Sequence, residues 1–365
     1  MDVMKVLLAG GGTAGHVEPA LAVGRALKES DPSTELLFLG TAGGLESSII
    51  PAAGFALHLI PKVEVPRHLS ATLLMTPFKL AASIRETMRA LKGVDCAIGF
   101  GGYVSAPMYC AAFLKRVPFL IHEQNAKPGW ANRIGAHLTP WRAISYSISK
   151  GKLKSATLTG LPLRADVLTA LTSAAPDWSS ARLNAQQVLR TRYHLSESGP
   201  ILFIFGGSQG SQAINSVIDS SRAGLDELGI SIIHGVGRNN PVPASSSHYV
   251  ALPYIEEMAL HYLAADIVIS RSGAVTCAEF AALGRFALFI PLPVGNGEQA
   301  LNAASLVSQS RAEIINQREF TPEWLEANLP RLLEKSSLVD SGGETLGISA
   351  ADKIVQMIKE AAESR

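Results

Sequence analysis

The chain has 365 residues with a net charge of +1, and 47% of its residues are hydrophobic whereas 17% are charged. This composition excludes an intrinsically disordered protein, and the length predicts two domains because it exceeds what one core usually supports. The sequence has no apolar run of the about 18 residues that span a membrane, no N-terminal stretch suited to a signal peptide, and no cysteine spacing typical of a metal or redox site. We therefore expect a protein of a reducing cytoplasm.

Short apolar runs alternate with segments of helical period, which is typical of stacked βα units and a parallel sheet. In the first half the predicted strands are Lys5–Ala9, Glu35–Leu39, Cys96–Gly99, Phe119–His122, Ala143–Ser147 and Ala156–Thr159. In the second half they are Ile201–Phe205, Ser231–His234, His248–Leu252, Asp266–Ser270, Phe286–Ile290 and Ala312–Ile315. The predicted helices between them include Ser211–Glu227, Thr276–Leu283, Gln299–Ser308 and Pro322–Lys335, and the Ser/Ala/Pro-rich stretch Leu171–Ser180 predicts a surface loop.

Both halves open alike, with a buried strand that runs into Gly-Gly, a hydroxyl residue, a spacer and another glycine. The two turns are Gly11–Gly15 and Gly206–Gly210, and they predict two tandem doubly wound, Rossmann-like α/β domains with a ligand crevice between them. We place the first domain at residues 1–162 and the second at 163–349. The amphipathic final helix, residues 350–364, is expected to pack back on the first domain.

The first glycine turn fits a dinucleotide-binding pattern at Gly10, Gly12 and Gly15. A dehydrogenase also needs an acid at the end of the second strand, and none stands there. What remains is a tight turn whose free amides open a helix and suit an anion or a sugar hydroxyl. His16 follows directly at this edge of the sheet, which favours a functional histidine over a structural one.

Polar residues also follow strands of the second half. Ser208 lies in the second glycine turn, where amides suit a phosphate, although a plain turn capped by Ser211 fits equally. Glu279 lies about one turn into an apolar helix, where a carboxylate is costly unless it is paired. Two ribose hydroxyls would pair it, and the alternative is a charge placed for the helix dipole. Gln299 and Asn302 share one helix face and can reach the same sugar.

Charge is distributed unevenly along the chain. Residues 1–164 carry 18 basic and 10 acidic residues, whereas the rest carries 14 and 21. This asymmetry fits an anionic partner for the first half, either a membrane or a polyphosphate, and it fits ordinary scatter between domains equally well. Within the basic segment 62–92, apolar side chains beside Lys79 fall off the stripe that would face the core. With two basic neighbours they predict a patch that docks on an anionic membrane rather than within the protein: Arg67, Leu74, Met75, Phe78 and Lys79.

Five ordered motifs between residues 5 and 316 together resemble the MurG family of peptidoglycan N-acetylglucosaminyltransferases. They are Gly11–His16, Gly101–Tyr103, His122–Asn125, Gly206–Gly210 and Arg271–Thr276. The resemblance implies a GT-B fold and transfer of N-acetylglucosamine, with inversion, from UDP-N-acetylglucosamine to lipid I, the undecaprenyl-pyrophosphoryl-MurNAc-pentapeptide. The product would be lipid II of the bacterial wall, made by a peripheral protein at the cytoplasmic face of the cell membrane.

The resemblance also implies roles for individual residues. The first domain would face the acceptor and the membrane, and the second would bind the UDP-sugar. His16 would be the base. The donor site would contain Thr13, Ala14, Gly15, Asn125, Arg164, Ser208, Ile255, Ala274, Val275, Thr276, Cys277, Ala278, Glu279 and Gln299. The acceptor site would contain Gly102, Tyr103, His122, Glu123 and Gln124.

The sequence departs from the family pattern at Ala14, where a glycine is common, and at Val294–Gly297 before Gln299. It contains no Asp-x-Asp motif, so we expect no required cofactor, with a divalent cation at most stimulatory. We also expect no nucleic-acid partner. Three other functions remain open. They are a GT-B enzyme acting on another glycolipid, a sugar-nucleotide epimerase of similar architecture, and a non-catalytic protein that binds nucleotide sugars.

Overall fold

The computed structural model describes residues 3–63, 72–294, 296–339, 343 and 345–364, with residues 72–75 described by their backbone alone. The chain divides into two units, one of Met1–Arg164 with Leu346–Arg365 and one of Ala165–Thr345. The sequence predicts the two domain boundaries after residues 162 and 349, whereas the structure divides after Arg164 and Thr345. Each unit contains one parallel sheet.

The first unit contains a seven-stranded sheet whose central strands, Lys5–Ala9, Cys96–Gly99 and Phe119–Glu123, consist almost entirely of buried residues. Its strands are β1 (Lys5–Ala9), β2 (Glu35–Gly40), β3 (Ala56–Leu59), β4 (Cys96–Gly99), β5 (Phe119–Glu123), β6 (Arg142–Ile144) and β7 (Thr157–Leu158). They lie in the order β3-β2-β1-β4-β5-β6-β7, and each described pair is parallel. The order reverses between β1 and β4, so the loops after these strands lie where doubly wound sheets bind ligands.

Helices cover both faces of this sheet, as βαβ crossovers require. They are α1 (Ala14–Ser30), α2 (Glu46–Ala52), α3 (Thr72–Ala90), α4 (Gly102–Lys115) and α5 (Trp130–Gly135), with a short 3₁₀ helix at Lys152–Ser155. Helix α3 packs beside α4, and α4 packs beside α5. The sequence predicts that an apolar stripe faces the core at Leu69, Leu73, Leu80, Ile84, Met88 and Leu91. Ile84 and Met88 on α3 pack against the core cluster, and Leu91 just beyond the helix is buried in it. Leu69 and the side chain of Leu73 lie outside what the structure describes.

The second unit repeats the design. Its strands are β8 (Ile201–Phe205), β9 (Ser231–Gly235), β10 (Tyr249–Leu252), β11 (Ile267–Ser270), β12 (Phe286–Phe289) and β13 (Ala312–Ile314), in the order β10-β9-β8-β11-β12-β13. Its helices are α6 (Ala165–Ala174), α7 (Trp178–Tyr193), α8 (Gln212–Glu227), α9 (Met258–Ala264), α10 (Ala274–Leu283), α11 (Glu298–Asn302), α12 (Ala304–Ser308) and α13 (Pro322–Ser337). The order reverses between β8 and β11, so the glycine turn after β8 also lies at a switch point.

The last helix, α14 (Ala350–Glu363), packs against α1 of the first unit. Ile354 and Ile358 are buried in the same cluster as Val17 and Leu21 of α1. The C-terminal segment therefore belongs to the first unit, although in the sequence it follows the second unit. None of the described helices is long and apolar enough to cross a bilayer.

The structure corrects the prediction of a loop at residues 171–180. Leu171 and Ala174 are buried on α6, and α7 begins directly after Asp177, whose carboxylate accepts a hydrogen bond from the Ser180 amide at 3.0 Å. The Ser/Ala/Pro composition therefore marks the end of one helix and the cap of the next. Strand β3 was not predicted, and the helix predicted at 299–308 is interrupted at Ala303.

Candidate active site

The turn after β1 forms the centre of the candidate site in the first unit. Gly12 has φ of 92°, a left-handed conformation that favours glycine. Thr13 then adopts an extended conformation and precedes α1 without capping it through its side chain. The first amides of α1, at Ala14 and Gly15, therefore lie at the exposed start of the helix, where an anion or a hydroxyl oxygen can accept from them.

His16 lies in the first turn of α1 and is half-buried. Its Nδ1 lies 3.2 Å from Oγ1 of Thr13, and its ring packs on the glycine turn after β4, since a Cβ atom at Gly101 would lie 3.3 Å from Nε2. Desolvation lowers the pKa of His16, and a backbone hydrogen bond at Gly11 and the charge of Glu46 partly oppose this effect. The imidazole is therefore neutral near pH 7 and can accept a proton.

The turn after β4 lies against the turn after β1. Gly101 and Gly102 have φ of 89° and 75°, and a Cβ atom at Gly102 would lie 2.7 Å from the Gly11 carbonyl oxygen. The hydroxyl of Ser105 on α4 lies 2.9 Å from the Ala9 carbonyl oxygen and 2.7 Å from that of Gly101, so it links the two strand ends. Glycines at both turns thus permit a close approach of the two backbones.

Tyr103, predicted to meet the acceptor, follows this turn and is half-buried. Its hydroxyl donates to Oε1 of Glu46 at 3.2 Å, and its ring packs over Gly12, where a Cβ atom would lie 2.8 Å from Cε1. Burial raises the pKa of Tyr103, so the phenol stays protonated and acts as a hydrogen-bond donor.

The predicted acceptor residues His122, Glu123 and Gln124 are buried in the first unit. His122 Nε2 lies 3.1 Å from the Gly160 carbonyl oxygen, and Nδ1 lies 3.1 Å from Nε2 of Gln124. Burial lowers the pKa of His122 to about 4, with the Gly160 contact opposing it, so this imidazole is neutral. These side chains therefore have partners within the protein, and their assignment to the acceptor stays a prediction.

Glu123 organises the loop that follows β5. Its carboxylate accepts hydrogen bonds from the amides of Asn125 and Gly129, both at 3.0 Å, and from the side chain of Asn132 at 3.0 Å. Burial raises the pKa of Glu123, whereas these hydrogen bonds lower it. The network fixes Asn125, a predicted donor residue, in a half-buried position at the end of β5.

Sequence reasoning missed two residues of this site, Glu46 and Asn132. The Asn132 side chain donates to Glu123 and to the His122 carbonyl oxygen, and it accepts from Tyr109 at 2.6 Å. Glu46 joins the turns after β1 and β2. The only signal for Glu46 in the sequence is a carboxylate directly after Gly43, Gly44 and Leu45, which follow a strand.

The second glycine turn lies between β8 and α8. Gly207 and Gly210 have φ of 96° and 75°, and Ser208 between them is half-buried. Ser211 caps α8 through a hydrogen bond from the Ile214 amide. The buried Arg271 after β11 donates to Oγ of Ser211 at 2.8 Å, so it ties this turn to the neighbouring strand end.

Helix α10 begins at Ala274, after its N-cap residue Gly273, and leaves the amides of its first turn at the carboxyl edge of the sheet. Glu279 on this helix is 2% exposed, and the predicted donor residue Ile255 is also buried. Burial raises the pKa of the Cys277 thiol, which therefore stays protonated. The other predicted residues of this helix are Ala274, which is buried, and Val275, Thr276 and Ala278, which are half-buried.

Gln299 and Asn302 lie on α11 but have different partners. Oε1 of Gln299 accepts from the Leu292 amide at 2.9 Å, whereas the buried Asn302 donates to the Ser272 carbonyl oxygen at 3.3 Å. Arg164 is half-buried at the end of the first segment of the first unit. No cluster of three His, Cys, Asp or Glu side chains suited to a metal ion occurs among the residues that the structure describes.

The predicted membrane residues are described in part. Phe78 is 70% exposed, and Lys79 beside it on α3 is exposed. Arg67 and the side chains of Leu74 and Met75 lie outside what the structure describes. The neighbouring helices carry further large exposed apolar side chains, Phe113 and Leu114 on α4 and Trp130 and Ile134 on α5.

Comparison with known proteins identifies the class. Residues 6–140 match the model of the glycosyltransferase family 28 N-terminal domain, and residues 201–355 match that of its C-terminal domain. The chain is therefore a glycosyltransferase of the GT-B fold, with two Rossmann-like domains.

Individual relatives narrow the family. A UDP-N-acetylglucosamine–N-acetylmuramyl-(pentapeptide) pyrophosphoryl-undecaprenol N-acetylglucosamine transferase of Frankia casuarinae is 42% identical, over 99% of this chain and 96% of its own length. The crystal structure of Acinetobacter baumannii MurG has a TM-score of 0.70 and 26% identity, covering 98% of this chain and 99% of its own. The chain belongs to this family of N-acetylglucosamine transferases.

The fold extends beyond this family. A UDP-N-acetylglucosamine 2-epimerase from Neisseria meningitidis has a TM-score of 0.59 at 14% identity, over 98% of this chain and all of its own (100%). At this identity the likeness shows the fold alone.

Proposed function

We propose that this chain transfers N-acetylglucosamine from UDP-N-acetylglucosamine to lipid I and so forms lipid II for peptidoglycan. The observation that carries the proposal is the position of His16, which lies at the glycine turn of one switch point and packs against the turn after β4. A similar turn at the other switch point is joined by a helix start suited to a diphosphate. An incubation of the enzyme with UDP-N-acetylglucosamine alone separates this function from epimerisation. We expect the donor to remain unchanged until lipid I is added, whereas an epimerase would consume it at once.

The proposed reaction is a single displacement with inversion at the sugar. His16 removes the proton from the acceptor hydroxyl, whose oxygen forms the new bond to the anomeric carbon. The bond between this carbon and the UDP oxygen breaks, and UDP leaves with the electron pair. Ser208, the amides at Ala274 and the guanidinium of Arg164 stabilise the charge that develops on the departing diphosphate.

The second unit holds the nucleotide in this proposal. Glu279 accepts both ribose hydroxyls, while Ile255, Gln299 and the first two turns of α10 line the rest of the nucleotide site. Thr13, Ala14, Gly15 and Asn125 of the first unit complete the donor set, as implied by the resemblance.

Replacing Glu279 with glutamine is expected to weaken UDP binding about tenfold or more. The variant loses one acceptor oxygen and the charge, and a hydrogen bond to a charged group contributes roughly 1.5–3 kcal/mol. Titration calorimetry with UDP measures the effect. Glu323→Gln, an exposed carboxylate on α13 of the same unit, is the matched control and should leave affinity unchanged. Equal affinity of Glu279→Gln and wild type would refute the ribose contact.

We also propose that the reaction needs no metal cofactor. The sequence lacks the Asp-x-Asp motif that binds metal diphosphates in another class of glycosyltransferase, and helix-start amides with Arg164 can carry the diphosphate charge instead. Exhaustive treatment with EDTA should therefore slow turnover at most in part. Complete loss that Mg²⁺ restores would show that a metal takes part.

The acceptor is proposed to bind the first unit. Its diphosphate would lie at the start of α4, where the first backbone amides of the helix, at Gly102 and Tyr103, can donate to it. His122, Glu123 and Gln124 would support the acceptor site indirectly, by fixing the end of β5 and the loop that follows it. Nucleic acid has no part in the proposed reaction.

The acceptor carries a polyprenyl chain, so we propose that the enzyme docks peripherally on the cytoplasmic face of the bacterial membrane. The docking patch is Arg67, Leu74, Met75, Phe78 and Lys79. The exposed phenyl ring of Phe78 and the exposed charge of Lys79 support this proposal, because an apolar side chain beside a cation suits the interface of an anionic bilayer.

A further inference from the structure

Glu46, the first residue of α2, is a fully buried carboxylate, with 0% exposure. Its Oε2 accepts the Gly12 amide at 2.9 Å. Its Oε1 accepts the amide and the hydroxyl of Thr41 at 3.0 and 3.1 Å and the hydroxyl of Tyr103 at 3.2 Å. Four donors, from the turns after β1 and β2 and from the start of α4, thus converge on one carboxylate, which compensates for the cost of burying it.

Glycines make room for this carboxylate. A Cβ atom at Gly11 would lie 2.8 Å from Oε1 of Glu46, and one at Gly40 would lie 2.5 Å from its Cγ. A Cβ atom at Gly44 would overlap the carboxylate itself. Side chains at these three positions are therefore incompatible with the observed place of Glu46, which indicates a built arrangement rather than an incidental contact.

Glu46 holds both turns that flank His16. Gly12 directly precedes Thr13, whose Oγ1 lies 3.2 Å from Nδ1 of His16. Tyr103 directly follows Gly102, where a Cβ atom would lie 3.3 Å from the same nitrogen. One side chain thus fixes the backbone on either side of the proposed base.

We propose that Glu46 is a positioning residue of the transfer reaction. By holding the Gly12 amide and the Tyr103 hydroxyl, it keeps His16 directed at the acceptor hydroxyl and the first amides of α1 accessible. This inference rests on the proposed function, in which His16 is the base. It assigns Glu46 no contact with either substrate.

A double-mutant cycle tests the inference in the full-length enzyme with UDP-N-acetylglucosamine and lipid I. Glu46→Gln keeps the size of the side chain but loses its charge and one acceptor oxygen, so kcat should fall about tenfold or more while the KM for the donor stays within about twofold. Added to His16→Ala, the same change should alter kcat by less than about twofold, because the base that it positions is gone. Glu35→Gln, an exposed carboxylate on β2, is the control and should have no effect.

Two results would overturn the inference: an equal loss of kcat in both backgrounds, which marks a general loss of folded enzyme, or an undiminished kcat in Glu46→Gln. If that variant does not fold, Thr41→Val removes one donor to Glu46 and goes through the same cycle, with a loss of a few-fold expected only when His16 is present. Failure of the proposed function is a different result, because then wild-type enzyme forms no lipid II or His16→Ala turns over normally.

Hydrogen exchange supplies a readout that needs no turnover. The Gly12 amide is bonded to Glu46, so exchange across residues 10–16 should become faster in Glu46→Gln, while residues 201–215 of the second unit exchange as in wild type. Unchanged exchange at residues 10–16 would show that Glu46 does not hold the turn.

Discussion

Replacing His16 with alanine is expected to lower turnover by about 10²–10⁴ and to leave UDP affinity nearly unchanged. The loss follows from removal of the general base, whose Nδ1 contacts Thr13 and whose ring packs on the turn after β4. Affinity persists because the proposed contacts to the ribose and to the rest of the nucleotide are made mainly by the second unit. Steady-state kinetics and calorimetry with UDP measure the two quantities on one preparation.

The pH dependence of kcat/KM also tests whether His16 is the general base. Desolvation lowers the pKa of His16 from its ordinary value of 6.5, so the neutral, proton-accepting form is present above that lowered value and is lost as the pH falls through it. The acid limb of kcat/KM should therefore lie below pH 6.5 and should be absent from His16→Ala.

His137→Ala, an exposed histidine in the same unit, is the control and should retain full activity. A fall of less than about fivefold in His16→Ala, with the fold retained, would assign His16 a structural or substrate-positioning role instead.

Replacing both Leu74 and Phe78 with serine is expected to abolish sedimentation with anionic vesicles. Each side chain contributes roughly 1.5–3 kcal/mol when fully buried in the interface, so losing two lowers the binding constant about 10²-fold or more. The nearby basic residues each add on the order of 1 kcal/mol on anionic lipid and do not suffice alone. Activity on a short-chain, water-soluble acceptor should be spared, because the variant alters docking and not the reaction.

The matched control is a double variant, Leu183→Ser with Val188→Ser, on α7 of the second unit. The side chain of Leu183 is 67% exposed and that of Val188 is 36% exposed. Serine at both positions removes two exposed apolar side chains from a surface with no proposed role at the membrane. Undiminished vesicle binding by the Leu74/Phe78 variant would place the membrane surface elsewhere, with the exposed side chains of α4 and α5 as the next candidates.

Most of the architecture is predictable because it depends on local patterns. Strands such as Lys5–Ala9 and Ile201–Phe205 are short apolar runs bounded by glycine turns, and the structure confirms both ranges. Strand β3 was missed because Ala56–Leu59 lies at the sheet edge, partly exposed and interrupted by His58, so it lacks the continuous apolar run of a central strand. Residues 171–180 were misassigned because a helix end and a cap share the composition of a loop.

The candidate site was only partly predictable. His16 and Glu279 lie within the first two turns of the helices that follow β1 and β11, and this position is visible in the sequence. Glu46 is bonded to Gly12 and Tyr103, which lie 34 and 57 residues away, and no local pattern reports such contacts. The assignment of His122, Glu123 and Gln124 to the acceptor stays a prediction. That the Gln124 side chain contacts His122, and that the Asn132 side chain donates to Glu123, is visible only in the packed structure.

The most direct test of the central claim is an incubation of the purified enzyme with labelled UDP-N-acetylglucosamine and lipid I, followed by separation of the lipid products. The account predicts that label moves into a lipid with the mobility of lipid II, in an amount equal to the UDP released. Release of UDP without labelled lipid, or transfer to another glycolipid in preference to lipid I, would contradict it.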